Sequence, residues 1–235
     1  MKKKTIVIMG NGPGLAKQNF KILSKFDTFG LNAAYRYYWK NNWWPTYHGC
    51  FDYVVTESHR DNFKKLIEED NPIKRCFYLR EISKNKKQVF VKLNRSSNHW
   101  NNSEEHFYNL ADGGNSGVNA AQIACCMGYN KIILVGVTGK YVEEVSGSRK
   151  TQKDTLIIEK KSNNPNYWFD GYQDVGDEYN LPRPEKFHIP GWKNFYEKCK
   201  KNGVEIVNCS IGSIVPDIPR STLKLEFVKE VKSVK

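Results

Sequence analysis

No apolar run in this chain approaches the roughly 18 residues that cross a bilayer. The opening Met1-Lys2-Lys3-Lys4 leads into an apolar stretch too short for a signal-peptide core. Neither a membrane span nor secretion is expected, and the protein is expected in the cytoplasm. Without a secretion signal, the acceptor triplets Asn94-Arg95-Ser96 and Asn208-Cys209-Ser210 say nothing about glycosylation. Cysteine is present at Cys50, Cys76, Cys125, Cys126, Cys199 and Cys209, but never in C-x-x-C spacing. That removes the usual zinc and dithiol motifs and leaves buried, reduced thiols. No D-x-D pair stands in a strand-end loop, and Asp112, Asp170, Asp174 and Asp177 read as separate loop carboxylates, so no metal site is expected. No Ser or Cys sits in a nucleophile elbow beside a histidine, which leaves a hydrolase triad unsupported. Internal repeats and low-complexity segments are absent as well.

What is present is enough for a folded domain. The 235 residues are 39% hydrophobic and suit one domain, 1–235, with a substantial lid. An excess of 37 Lys and Arg over 25 Asp and Glu gives +12. Such a charge favours an anionic partner: a nucleotide, an acidic glycan, an anionic membrane face or nucleic acid. Solvated surface accounts equally well for the lysines of 2–4, 84–87 and 198–201 and of the tail.

The most informative segment is Ile6-Val7-Ile8-Met9-Gly10-Asn11-Gly12-Pro13-Gly14, an apolar strand that breaks into a glycine-rich turn. Glycine at 10, 12 and 14 allows positive φ and close approach of a phosphate or ribose, with the N–H groups of a following helix aimed at it. The spacing is not G-x-G-x-x-G, and no acid closes a second strand about 20 residues on, so this reads as a nucleotide site other than an NAD site. A helix is expected over 15–26 and strands over 28–32, 53–56 and 75–79, with a charged helix over 62–69. Strands alternating with helices predict a Rossmann-like α/β fold, a mostly parallel sheet with helices on both faces. Asn11, Asn32 and Thr56 should then meet at the carboxyl ends of the strands.

A second glycine-rich helix start follows at Gly113-Gly114-Asn115-Ser116-Gly117, capped by Asn115 or Ser116 and stopped by Gly128. The run 131–137 reads as a buried central strand ending at Gly136 and Thr138. Two such starts across one crevice suit a ligand with base, ribose and phosphate. From 138 to 190 the pattern fails, and the Tyr167-Trp168-Phe169-Asp170-Gly171-Tyr172 stretch favours an irregular lid that packs on something. A helix over 192–201, a strand over 204–207 and a polar loop over 208–213 complete the domain. The tail 223–229 reads as a closing strand or a basic membrane-surface contact, and the strand is favoured.

Among the histidines, His48, His59, His99 and His106 read as structural or surface groups. His188 stands directly after the lid and before a helix, where an imidazole titrating near neutrality serves as a general base or as a helix cap. The aromatic run Tyr35-Arg36-Tyr37-Tyr38-Trp39 and Trp43-Trp44 suits ring stacking or core packing.

Gly10-Asn11-Gly12-Pro13 with Leu15, Asn32 with Tyr35, Asn115-Ser116-Gly117 through Gly128-Tyr129-Asn130-Lys131-Ile132, the Gly136 strand end and His188 together resemble the bacterial lipooligosaccharide sialyltransferases. They also resemble the wider group of motility-associated-factor flagellin glycosyltransferases and MptE-like pterin pyrophosphokinases. The resemblance implies a GT-A variant of the Rossmann-like fold, a CMP-activated sugar donor, a glycan acceptor, inversion, and no metal or other cofactor. By position, Asn11 would meet phosphate or ribose, Asn32 the cytosine or phosphate side, and Ser116 and Gly117 the sugar carboxylate or ribose. Gly10, Gly12, Pro13, Thr56, Asn115, Gly136 and Thr138 complete the expected donor site. His188 would deprotonate the acceptor hydroxyl, while Tyr167 and Tyr172, with Tyr141 behind them, would stabilise the departing phosphate. Where those sialyltransferases carry an arginine before Ser-Gly this chain has Gly113-Gly114, and for their Gly-x-Asp it has Gly136-Val137-Thr138, so a different CMP- or NDP-sugar stays open. Two rivals remain: an ATP- and Mg²⁺-dependent pyrophosphokinase, and a non-enzymatic nucleotide- or nucleic-acid-binding module. Peripheral contact with an anionic membrane and self-association are left open.

Overall fold

Short strands return parallel to one another only if the chain crosses a face of the sheet between them, so each apolar run here needs a helix or long connection after it. The computed structural model describes residues 4–98, 100, 102–142, 145–151 and 154–232; His99, Lys2 and Lys3 lie outside the described residues. The strands are β1 (Thr5–Met9), β2 (Asp27–Leu31), β3 (Tyr47–Cys50), β4 (Arg75–Tyr78), β5 (Gln88–Phe90), β6 (Leu93–Asn94), β7 (Leu110–Ala111), β8 (Lys131–Val135), β9 (Ser148–Lys150), β10 (Thr155–Ile158), β11 (Glu178–Asn180) and β12 (Glu205–Asn208). The α-helices are α1 (Phe20–Leu23), α2 (Tyr35–Asn41), α3 (Tyr53–Ser58), α4 (Arg60–Glu68), α5 (Ser116–Cys126), α6 (Ile189–Lys201) and α7 (Leu223–Lys232).

Seven strands form one sheet in the order β12-β8-β1-β2-β3-β4-β5. Every pairing within it is parallel. The chain builds outward from β1 to β5, then returns to add β8 and β12 on the other side of β1. The strand order therefore reverses between β1 and β8, and sheets of this kind bind ligands at the carboxyl ends of the strands at such a point. The register, Thr5 opposite Lys131 through Met9 opposite Val135, ends the two strands level with each other.

Alternation along β1 separates the two faces. Ile6 and Ile8 join Ile132, Leu134, Phe29 and Phe77 beneath α5 and α6. Val7 and Met9 join Ile133, Val135, Leu15, Leu23 and Phe26 on the opposite face, where Leu223 of α7 packs. The sheet is thus the expected Rossmann-like α/β layer with helices on both sides.

Several local expectations are corrected. Residues 53–56 form the first turns of α3, because Asp52 caps them by accepting from Val54 N at 2.9 Å and Val55 N at 3.2 Å. The strand at this place is β3, whose sequence Tyr-His-Gly-Cys hides its burial behind a histidine and a glycine. In place of one helix over 15–26 there is a 3₁₀ turn at Pro13–Lys17 and the short α1, capped by Asn19. The lid carries its own antiparallel sheet, β9-β10-β11. The tail is the helix α7, because Leu223, Glu226, Phe227 and Glu230 recur at helical spacing on its inner side. Leu223 and Glu226 are buried, Phe227 packs 6.2 Å from Phe26, and Glu230 accepts from Thr5 Oγ1 at 2.9 Å.

Candidate functional site

Where β1 and β8 end, the two chains stay bonded: Gly10 N donates to Val135 O and Gly12 N to Gly136 O, both at 2.8 Å. A methyl group on Gly10 would stand 2.5 Å from the Gly136 carbonyl oxygen, and one on Gly12 would stand 2.6 Å from Thr138 Cγ2. Gly136 turns with φ 66°, whereas Gly10, Gly12 and Gly14 do not adopt positive φ. Gly10 and Gly12 thus serve the close approach of two strand ends, Gly14 lies tight against the Ile211 carbonyl, and none of the three forms the left-handed turn that the sequence allowed. The broken helix behind them offers no long N-terminus either.

Asn11 acts as a staple at this point. Its Nδ2 donates to Leu31 O at 3.1 Å and its Oδ1 accepts from Trp168 Nε1 at 3.4 Å, joining β1, β2 and the lid. Asn32, directly after β2, holds φ 54°, a left-handed conformation that asparagine tolerates. Its Oδ1 is buried with no hydrogen-bond partner. Across the crevice Asn115 caps α5 by accepting from Val118 N at 2.9 Å, and its Nδ2 is likewise buried and unpartnered. An orphaned acceptor and an orphaned donor lining one cavity are what a bound polar ligand would satisfy.

The start of α6 lies on this loop. A methyl on Gly117 would meet Trp192 Cζ2 at 2.8 Å, so glycine is needed beneath the indole. His188 ends a single π-helical turn, Pro184–His188, just before α6, and faces the same cavity. Burial lowers its pKa from the ordinary imidazole value, which keeps the ring neutral and able to accept a proton. The lid closes the opposite side: Tyr167 and Tyr172 stack with ring centroids 3.9 Å apart at 17°. Burial pushes both phenols well above their ordinary range, so each remains a hydrogen-bond donor.

These elements enclose about 750 Å³, the size of a pocket for a small molecule. Its cations are Arg95, Lys140 and Arg183. Its carboxylates already hold protein donors. Asp52 accepts from α3 and from Asn180 Nδ2 at 2.9 Å; Asp112 accepts from Gly114 N at 3.0 Å and lies 3.6 Å from Arg95; Asp154 pairs with Arg183 and Lys150. Among the described residues no three His, Cys, Asp or Glu side chains group as a metal site.

No protein-family model and no curated protein sequence matches the chain. Solved structures do. A Maf glycosyltransferase from Magnetospirillum magneticum AMB-1 superposes with a TM-score of 0.53 at 13% identity, covering 100% of this chain, which spans 37% of that protein's length. The sialyltransferase CstII from Campylobacter jejuni in complex with CMP-3FNeuAc superposes with a TM-score of 0.52 at 16% identity, over 95% of this chain and 88% of that one. Its complex with cytidine-5'-monophosphate gives 0.50 at 16% identity, over 95% and 87%. The chain has the Rossmann-like fold of these glycosyltransferases.

The fold brings most of the expected site residues together. Gly10, Asn11, Gly12, Asn32, Asn115, Ser116, Gly117, Gly136, Thr138, Tyr167, Tyr172 and His188 all line the cavity, with Tyr141 beside them. Pro13 and Thr56 do not. Pro13 points outward from its 3₁₀ turn, and Thr56 is fully buried within α3, a consequence of the helix that replaces the expected strand. His48 and His59 are buried in the second hydrophobic layer as the structural reading held, and burial lowers them to about 3 and about 4. Sequence reading missed Arg95, Lys140, Arg183, Asp52 and Asn180. Single polar residues in loops carry no periodic signal, and in a chain of +12 a cation is background.

Proposed function

We propose that this protein is a sugar-nucleotide-dependent glycosyltransferase that moves a sugar from a CMP-type donor to a glycan hydroxyl with inversion. The observation that carries the reading is the cavity at the β1–β8 switch point, with the unpartnered Asn32 Oδ1 and Asn115 Nδ2 on its wall and a neutral His188 at its edge. Asn32, Asn115, Ser116 and Gly117 bind the donor. His188 takes the proton of the acceptor hydroxyl as that oxygen attacks the anomeric carbon. The bond from that carbon to the phosphate oxygen breaks, and CMP departs with the electron pair. Tyr167 and Tyr172 donate hydrogen bonds to the departing phosphate, where negative charge grows. Charge stabilisation is thus assigned to these two phenols without a metal ion. The carboxylates on the wall are engaged by protein donors, which favours this reading over an ATP-Mg²⁺ pyrophosphokinase.

A ligand that binds only the folded state raises the melting temperature, so the test is thermal stabilisation by CMP, CDP, UDP, GDP, ATP and CMP-sialic acid, each with and without Mg²⁺. Stabilisation by the cytidine nucleotides irrespective of Mg²⁺ is expected. A shift with ATP that requires Mg²⁺ would replace the proposal with the pyrophosphokinase, and no shift with any nucleotide would remove the donor site altogether.

A further inference from the structure

We infer that Arg36 and Asp177 are positioning residues that hold the Tyr172–Tyr167 wall of the cavity in place before any ligand arrives. The roles of the two tyrosines rest on the glycosyltransferase reading; the clasp itself rests on geometry alone.

Arg36 lies on α2, outside the cavity wall, and Asp177 lies in the lid just before β11. One guanidinium holds two separate parts of the lid. Its Nη1 donates to the Tyr172 carbonyl at 2.8 Å and to Asp177 Oδ2 at 2.5 Å, and its Nη2 donates to Asp177 Oδ1 at 2.9 Å. Asp177 is 7% exposed, so the pair is largely withdrawn from water and loss of either partner strands a charge. The carboxylate is also the centre of the lid's own turn: Oδ2 accepts from Asp174 N at 2.7 Å and from Tyr179 Oη at 3.3 Å. Beneath it stands His59, whose Nε2 is 3.8 Å from Asp177 Oδ1 and whose Nδ1 meets Tyr35 Oη at 2.8 Å.

The path from this clasp to the cavity is short. Arg36 fixes the Tyr172 backbone, and the Tyr172 ring stacks on Tyr167 at 3.9 Å. A hydroxyl that stabilises a leaving phosphate must already stand where charge will grow. The rest of the lid has other anchors, Glu178 N on Ser58 Oγ at 2.8 Å and Asn180 Nδ2 on Asp52 Oδ1 at 2.9 Å. Losing Arg36 should therefore loosen the 167–176 segment between Trp168, still held on Asn11, and Gly176, still held by its N–H on the Ile158 carbonyl at 2.8 Å, and leave β11 docked. Lysine cannot replace this arginine in full, because a single ammonium lacks the planar fork that spans a carboxylate and a carbonyl.

The test compares wild type with Arg36→Lys, Arg36→Gln and Asp177→Asn, using hydrogen exchange by peptide and calorimetric titration with CMP. In Arg36→Gln and Asp177→Asn, exchange over 167–176 is expected to rise by about tenfold or more while β1 and β8 keep their protection. CMP affinity should fall as well, by less than exchange rises, since apparent affinity scales with the fraction of molecules in the competent state whereas exchange scales with the open fraction. Arg36→Lys should lie between, and it remains informative where the glutamine variant fails to fold. Unchanged exchange over 167–176, or a rise of equal size in β1 and β8, would overturn the clasp. Wild-type protein that does not bind CMP would remove the CMP-donor reading and leave the exchange data to decide the clasp by themselves.

Discussion

At the scale of single residues, glycine and histidine do opposite kinds of work. Gly136 combines φ 66° with a site crowded by the Gly10 carbonyl, whereas Gly128 has φ 81° with nothing within 4 Å. Gly136→Ala should cost about 3 kcal/mol from overpacking and strain. Gly128→Ala should cost about 1 kcal/mol, the left-handed penalty alone. Urea denaturation of the two variants measures the difference directly, and equal losses would mean that the crowding at the β1–β8 junction is not what requires glycine. His188→Ala should abolish turnover while CMP still raises the melting temperature. In wild type the acid limb of kcat/KM should fall below the ordinary imidazole value of 6.5, because burial lowers the His188 pKa and the base stays deprotonated to lower pH. A limb above 6.5, or a variant with full turnover, would assign the base elsewhere.

At the scale of elements, α7 depends on one buried carboxylate. Glu226 is 0% exposed and receives Lys131 Nζ at 2.8 Å, Lys229 Nζ at 2.7 Å and Ser221 Oγ at 2.6 Å. Burial by itself would raise this carboxyl, but the three donors outweigh it and hold it at about 2. Glu226→Gln should therefore destabilise the protein by about 3 kcal/mol, with Lys131 left short of charge in the core edge. Thermal melts at pH 7 decide it; a loss below about 0.5 kcal/mol would reduce the ion pair to surface value. The same helix shows how far sequence carries an element. The inner spacing of Leu223, Glu226, Phe227 and Glu230 was there to read, but a buried glutamate in the apolar stripe looks like a strand's polar position until Lys131 appears opposite it. β3 was invisible for the converse reason, since His48 is buried against Tyr38 Oη at 3.3 Å and reads as a loop residue without that partner.

At the scale of the whole molecule, the buried histidines and Glu226 set the acid limit. His48 and His59 are neutral in the fold down to about 3 and about 4, while in the unfolded chain they take up protons near 6.5. Unfolding therefore binds protons below pH 6.5, and stability should fall from there until the folded values are reached. Glu226, depressed from 4.5 to about 2, adds a second loss between those values. Denaturation midpoints measured from pH 8 to pH 3 should hold level above pH 6.5 and decline below it, and a flat profile between pH 6.5 and 4 would show that the two histidines are not held neutral. Read from the sequence alone, the Rossmann-like sheet, both glycine-rich strand ends, a capped helix start at Asn115 or Ser116 and the place of His188 were already determined. Each rests on local pattern: apolar runs, turn glycines, a capping side chain and a helix start. Only the tertiary structure decided that Gly10 and Gly12 are required by the contact between two strand ends, that Thr56 is core, and that Arg36, Asp177, Arg183 and Asn180 belong to the surroundings of the site. Those outcomes depend on what lies opposite in space, across as many as 141 positions between Arg36 and Asp177, and no periodicity along the chain records a partner that far away.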